Sequence, residues 1–362
     1  MKSHMLLMRT VLNEMGTRCC TSTIRDFKRI TERVEHEGLS FLTITLSDFN
    51  EDFQQALAKG QVDSTLFAGQ AKNGCLPKFL LGFTSQVFDR STGVLLSKPN
   101  VEAIYAIRQV CLLFGKVNLP CSDARQEIAF RKFVECERQV TSTDQSLSSE
   151  QLFAFAETAD RLLAPILSEL NQMVYDGQIV PKHGPGSTAD KLFGNEKYNQ
   201  RVWTERLENE LFYAGEYLFP SWSHYDPQLV TWLEPDQELP VRVVSVPKTL
   251  KTPRIIAIEP TCMQYVQQGL MEVIVGSIER DNLLSNFIGF DDQDPNREMA
   301  RTSSVYGDLA TLDLREASDR VSNQLVLLMM SRFVHASGAI QACRSRNADV
   351  PGYGVIPLSK FA

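Results

Sequence analysis

Two aspartates six residues apart, Asp313 and Asp319, sit where one apolar stretch hands over to another. In Leu309-Ala310-Thr311-Leu312-Asp313-Leu314, alternation puts Ala310, Leu312 and Leu314 on one face of an expected strand, and Thr311 and Asp313 on the other. A carboxylate in an otherwise buried strand is costly unless it is paired, bound to metal or open to a cleft. Ser318 is the expected cap of a following helix, with Val321, Leu325, Leu328 and Met329 down one side. Leu325 to Met330 is apolar all round, so this helix is expected to be buried, with Gly338 ending it. Strand, carboxylate, tight turn and buried helix suit nucleotidyl transfer, in which two Mg²⁺ ions about 4 Å apart activate a 3′-hydroxyl and stabilise the leaving pyrophosphate. Hard Mg²⁺ takes oxygen ligands, which makes Asp313 the candidate ligand. Asp319 falls near the helix head, where it could face a ribose. The plainer alternative is a strand end and a first-turn carboxylate that the helix dipole favours anyway. The short spacing alone does not choose between them.

A second chemical feature lies upstream. Val241 to Pro247 reads as a strand, Lys248 to Arg254 as a polar turn, and Ile255 to Ile258 as the returning strand. Arg242, Lys248, Lys251 and Arg254 fall in this hairpin with no acid among them. Such a cluster can neutralise a triphosphate, and it can equally be a solvated hairpin tip. His183-Gly184-Pro185-Gly186-Ser187-Thr188-Ala189-Asp190 reads as a tight turn feeding a helix, with a Ser187/Asp190 capping pair. Asp291, Asp292 and Asp294 read as a solvated loop. His224, His335, Trp203, Trp222 and Trp232 read as core or surface residues.

The elements that must position these residues follow from pattern. Leu42 to Leu46 alternates and is expected as a strand, with Ser47 and Asp48 capping a short helix. Helices are expected near 100–115 and 124–140, then a polar linker over Thr141 to Ser149. A long helix should run from about Glu150 to Tyr175, with Gly177 as its stop. Pro and Trp make 220–240 irregular. Helices dominate before 220 and strands enter after 240, which gives an α+β class with a helix-rich N-terminal region.

The 362 residues, 43% hydrophobic and 22% charged, are ample for a sizeable core. The net charge of −7 counts against nucleic-acid binding, although a basic channel can exist inside an acidic protein. Eight cysteines without a Cys-x-x-Cys pair point to free thiols in a reducing compartment. Neither a signal peptide nor a membrane span is legible.

The segment Leu309 to Ser322 resembles motif A of the replicases of levivirus-type single-stranded RNA phages, departing at Arg315 and Arg320, where that family usually has Ser. Val246 to Pro260 resembles the same family's motif F in the fingers. His183 to Thr188, Gly289 to Met299 and Cys111 to Lys116 resemble it too, in patches from about Leu39 onward. The resemblance implies a right-hand polymerase: a helix-rich N-terminal region and fingers over 1–235, the basic hairpin and a connecting fingers segment over 236–298, and the start of the palm over 299–362. It implies Asp313 as Mg²⁺ ligand and catalytic residue, and Lys248, Lys251 and Arg254 lining the nucleotide channel, with Glu259 pairing one of them. Ser318 and Asp319 would sense the ribose. The implied activity is RNA-directed RNA polymerisation, with RNA template and nucleoside triphosphates as ligands. Host elongation factors Tu and Ts and a ribosomal protein are the implied partners, in the bacterial cytoplasm and away from membranes. The family's Gly-Asp-Asp strand pair does not follow, and the palm sheet is incomplete. The expectation is therefore a truncated frame, inactive by itself. Two rivals are a non-catalytic RNA-binding or assembly protein with a polymerase-like shell, and another Mg²⁺-dependent phosphotransferase.

Overall fold

The computed structural model describes residues 2–314 and 316–361, so Arg315 lies outside the described residues. The protein is mixed α+β, helix-rich, with small sheets. It divides into two compact units, Met1–Ala129 with Ser245–Arg254, and Phe130–Val244 with Ile255–Ala362.

The first unit is built on the helices Lys2–Arg18, Ile24–Glu37, Leu46–Lys59 and Val101–Leu112. Met8, Leu12, Ile30, Phe53, Phe83 and Val110 are among its buried core. The strand expected over Leu42 to Leu46 is instead a π-helical turn, Phe41–Thr45, running straight into the Leu46–Lys59 helix. Ser47 and Asp48 therefore lie inside a continuous helix and do not cap one. The reason is visible over a longer window: Leu42, Leu46, Phe49 and Phe53 are all buried and recur at helical spacing, which outweighs five residues of alternation. Gly60 ends the helix in the left-handed conformation, φ +69°.

The charged helix expected over 124–140 spans Asp123–Ser146 and takes in most of the expected linker. Thr141 satisfies its hydroxyl within the helix, donating to the Glu137 carbonyl at 3.0 Å, so a polar composition does not break the element. The break comes at Ser148, which forms a reciprocal capping box with Gln151 and starts Ser149–Tyr175.

In the second unit a four-stranded sheet runs in the order Arg254–Ile258, Val241–Val246, Asn347–Val350, Gly354–Pro357. Val241 pairs with Ala348 in parallel, and Asn347–Val350 pairs antiparallel with Gly354–Pro357. Val241, Val243, Ala348 and Val350 bury one face against Phe130, Phe133 and Val134. A second core gathers the helices Ser149–Tyr175, Thr261–Arg280 and Val334–Ala342 with the fully buried Trp203, whose indole donates to the Phe212 carbonyl at 2.8 Å.

The strand expected over Leu309 to Leu314 is not formed. Residues 307–314 have no regular structure and are exposed, with Leu312 at 86% and Leu314 at 75%. Alternation makes a segment suited to a half-buried strand, but a strand also needs a neighbouring backbone to accept its hydrogen bonds. Among the described strands none pairs with this segment. The long helix expected after it is two short ones, Asn323–Met329 and Val334–Ala342, with Gly338 inside the second. Ser322, not Ser318, caps the first, accepting from the Leu325 amide at 3.3 Å. Leu327 is 43% exposed, so that helix is only partly buried.

Amide protons of residues 308–314 are expected to exchange at nearly unprotected rates in hydrogen-exchange mass spectrometry, while those of Val241–Val244 are protected. Protection at Leu312 equal to that of the sheet would show that this segment is paired in solution.

Candidate functional site

The expected hairpin is present. Its strands Val241–Val246 and Arg254–Ile258 flank a tip, and the Ser245–Arg254 portion belongs to the first unit. Arg125, near the start of the Asp123–Ser146 helix, and Cys121, just before it, hold the tip by its backbone. The Arg125 guanidinium donates to the Leu250 carbonyl at 2.6 Å, and the Cys121 thiol lies 3.0 Å from the Thr249 carbonyl. Ser245 bonds the Gln126 side chain at 2.6 Å. Lys248, Lys251 and Arg254 thus stand on a fixed loop. Lys251 ion-pairs with Asp48 at 2.9 Å, and that hydrogen bond raises its pKa. Lys248 and Arg254 are exposed, with no carboxylate partner among the described residues. The charges of the sequence divide with the units. The first has 18 Lys and Arg against 13 Asp and Glu, and the second 19 against 31. A net charge of −7 therefore conceals a basic unit and a strongly acidic one.

Asp313 lies in the exposed coil, without a hydrogen-bond or ion-pair partner among the described residues. A Mg²⁺ site needs several oxygen ligands. Among the described residues no three His, Cys, Asp or Glu side chains gather into a metal-binding group. Asp313 supplies one carboxylate of the required kind, and the described residues do not by themselves complete a metal centre. Ser318 and Asp319 sit together in a short 3₁₀ turn, Ser318–Arg320, rather than at the head of a long helix.

Asp319 is engaged by a group that sequence reasoning missed. The Lys360 ammonium, 1% exposed, contacts Asp319 at 2.8 Å and Glu137 at 3.4 Å, and lies 3.5 Å from the centroid of the Phe133 ring. Glu137 also accepts from the Ser359 amide at 2.8 Å. Arg344 donates to the carbonyls of Leu358, Lys360 and Phe361, fixing that segment from its other side. A single lysine between Ser359 and Phe361 carries no signal of this burial in the sequence.

Glu259 does not pair with a hairpin cation. It accepts from Ser345 and is partly buried. Burial raises its pKa, a shift that hydrogen bonds from Ser345 and Gln267 and the charges of Arg344 and Arg206 partly offset. The His183–Asp190 turn does not feed a helix either. The carbonyls of Gly184 and Gly186 point at the buried Lys197 ammonium, with the Gly184 contact at 2.7 Å. Asp190 accepts from Thr261 at 2.6 Å instead of capping. The turn is a cradle for a cation, which the chain itself fills. His183 stacks on Tyr265 with centroids 4.3 Å apart, and burial, then Lys197, lowers its pKa. Asp291 and Asp292 are exposed as expected, whereas Asp294 opens the helix Asp294–Tyr306.

Comparison with known proteins falls on the C-terminal part of the chain. A family model described as RNA replicase, beta-chain, matches residues 237–362. The RNA-directed RNA polymerase subunit beta of Enterobacteria phage SP is 38% identical over 130 residues, 31% of this chain and 22% of that protein. The corresponding subunit of Escherichia virus Qbeta is 42% identical over 89 residues, covering 25% and 14%. The beta chain of Escherichia phage MS2 is 42% identical over 84 residues, covering 23% and 14%. The C-terminal part of the chain is homologous to the levivirus replicase beta subunit, and the matched segments span less than a quarter of these relatives' length.

Replacing Lys360 with Met leaves Glu137 buried without its counter-charge. Chemical denaturation should show a loss of about 3 kcal/mol, the scale for breaking a buried pair from one side. A loss under about 0.5 kcal/mol would mean that water replaces the ammonium. For Glu259 the folded pKa lies above the ordinary 4.5, so its contribution to stability is fullest below that value and is lost as pH rises through the raised one. Glu259→Gln should therefore melt progressively higher relative to the unmodified chain as pH climbs from about 4 to about 8. A difference that stays flat or shrinks would contradict burial as the dominant influence.

Proposed function

We propose, from the homology of residues 237–362 to phage replicase beta chains, that this chain carries the fingers and the start of the palm of a right-hand RNA-directed RNA polymerase. The reading divides it into a helix-rich N-terminal region and fingers over 1–235, the basic hairpin segment over 236–298, and the first palm segment over 299–362. The reaction is template-directed addition of a nucleoside triphosphate to an RNA 3′-end, with the 3′-oxygen attacking the α-phosphate and pyrophosphate leaving. The cations of the hairpin, Lys248, Lys251 and Arg254, neutralise the triphosphate. Asp313 contributes one oxygen ligand for Mg²⁺, and Ser318 with Asp319 faces the ribose. RNA template and nucleoside triphosphates are the ligands. Elongation factors Tu and Ts and a ribosomal protein are the proposed host partners, in the bacterial cytoplasm. No helix among the described residues is long and apolar enough to cross a membrane.

The observation that carries this reading is the fixed basic tip within a homologous segment. The tip is a preformed anion-binding element, because its backbone is bonded at Thr249 and Leu250 before any ligand arrives. The exposed Asp313, without a partner among the described residues, favours a second reading, a non-catalytic RNA-binding or assembly protein with a polymerase-like shell.

Nucleotide incorporation on an RNA template, measured with a polypeptide that joins residues 1–362 to the remaining palm of a homologous beta chain, separates the two. Asp313→Ala should lower kcat by roughly 10²–10³-fold, the scale for losing one group that stabilises a transition state. Full activity in that variant would remove Asp313 from the site. RNA binding with no incorporation in the unsubstituted polypeptide would favour the shell.

A further inference from the structure

Among the described residues, only the Lys360 ammonium bonds the Asp319 carboxylate. It takes Oδ1 at 2.8 Å, while the Asp319 side chain stays 37% exposed and no other described residue bonds Oδ2. One oxygen is held from the buried side, and the other is left to accept a hydroxyl. The rest of the turn is held by the Asp123–Ser146 helix, which lies outside the homologous segment. Phe133, Cys136 and Glu137, at i, i+3 and i+4, share one face of that helix. The Cys136 thiol lies 3.4 Å from the Asp319 carbonyl, and Arg320 donates to Gln139 at 2.9 Å. The Phe133 centroid lies 3.5 Å from the ammonium, and Glu137 lies 3.4 Å from it. These contacts fix the backbone of the turn and the seat of the lysine. The ammonium alone fixes the direction of the Asp319 side chain. An acceptor that distinguishes a hydroxyl from a hydrogen must be oriented before its ligand arrives, because ordering it afterwards costs part of the bond.

We infer that Lys360 is the positioning residue for Asp319, and that it sets the preference of this site for a ribose over a 2′-deoxyribose. Lys360 acts through Asp319 and does not touch the nucleotide. The inference rests on the reading of Asp319 as a residue that faces the ribose, and adds what orients it. The fixed carboxylate accepts the 2′-hydroxyl proton. A 2′-deoxy sugar leaves that acceptor without a partner in the occupied site.

Calorimetric titration of the full chain, mixed with an oligouridylate template, with ATP and with 2′-deoxy-ATP tests it. The unsubstituted chain should favour ATP roughly tenfold, the scale of one hydrogen bond to a charged group. Lys360→Met alone leaves a buried carboxylate uncompensated, so a double variant carries the test. Lys360→Met combined with Glu137→Gln removes both buried charges and keeps a side-chain oxygen for the Ser359 amide. It should melt close to the unsubstituted chain and yet bind the two nucleotides alike. Glu137→Gln by itself leaves the ammonium on Asp319 and should keep the preference for ATP. A lysine that serves stability alone gives the opposite pattern, in which the preference follows the melting temperature and returns in the double variant. A double variant that favours ATP as strongly as the unsubstituted chain, while Asp319→Asn loses the preference, overturns the inference and leaves Asp319 facing the ribose. An Asp319→Asn variant that keeps the preference overturns the underlying reading as well. So does an unsubstituted chain that binds the two nucleotides alike, or binds neither.

Discussion

A buried ammonium organises the C-terminal part of this protein. Lys360 sits out of water between Glu137, Asp319 and the face of Phe133. Removing such a charge from solvent is tolerable only where counter-charges and hydrogen bonds are supplied together. The structure supplies them by converging three separate stretches of chain: the Asp123–Ser146 helix through Glu137, the turn at Ser318–Arg320 through Asp319, and residues 358–361, whose carbonyls Arg344 holds. Phe361 also donates its amide to the Val321 carbonyl, and Asn323 donates to Ser359. The position of Asp319 is thus fixed by contacts that are distant in sequence.

The same unit carries a second polar knot. Arg206 makes a buried two-pronged ion pair with Glu238 and reaches the carbonyls of Gln341 and Arg344, while Glu259 and Gln267 bind Ser345 and the Cys343 carbonyl. These bonds hold the end of the Val334–Ala342 helix and the bend after it, and with them the start of the Asn347–Val350 strand, the neighbour of the hairpin strand Val241–Val246. Sheet and helices are therefore tied by specific polar contacts as well as by apolar area. Such contacts are costly when half-satisfied, which makes the arrangement selective for one packing.

Charge tells a different story from composition. An acidic chain is a poor prospect for RNA, yet the acids concentrate in the second unit and the cations of the hairpin tip are counted with the first. Local field, not net charge, decides what a surface attracts, because screening in salt limits interactions to about 10 Å. Within the tip, Lys251 forms an ion pair with Asp48, while Lys248 and Arg254 have no carboxylate partner among the described residues.

The hairpin was legible in the sequence because its determinants are local: two β-branched runs, a polar turn between them, and strands within reach of each other in the chain. The long helix ending at Tyr175 was legible for the same reason, from the polar run before it and the Gly177 stop after it. Homology to the replicase beta subunit was legible in the motif residues around Asp313 and Lys248. The conformation of Leu309–Leu314 was not, since a strand exists only where another backbone completes its hydrogen bonds, and no alternation within six residues provides that neighbour. Nor was the burial of Lys360 or the ion pair of Lys251 with Asp48. Each depends on a carboxylate some two hundred residues away in the chain, and only folding decides which distant charges meet.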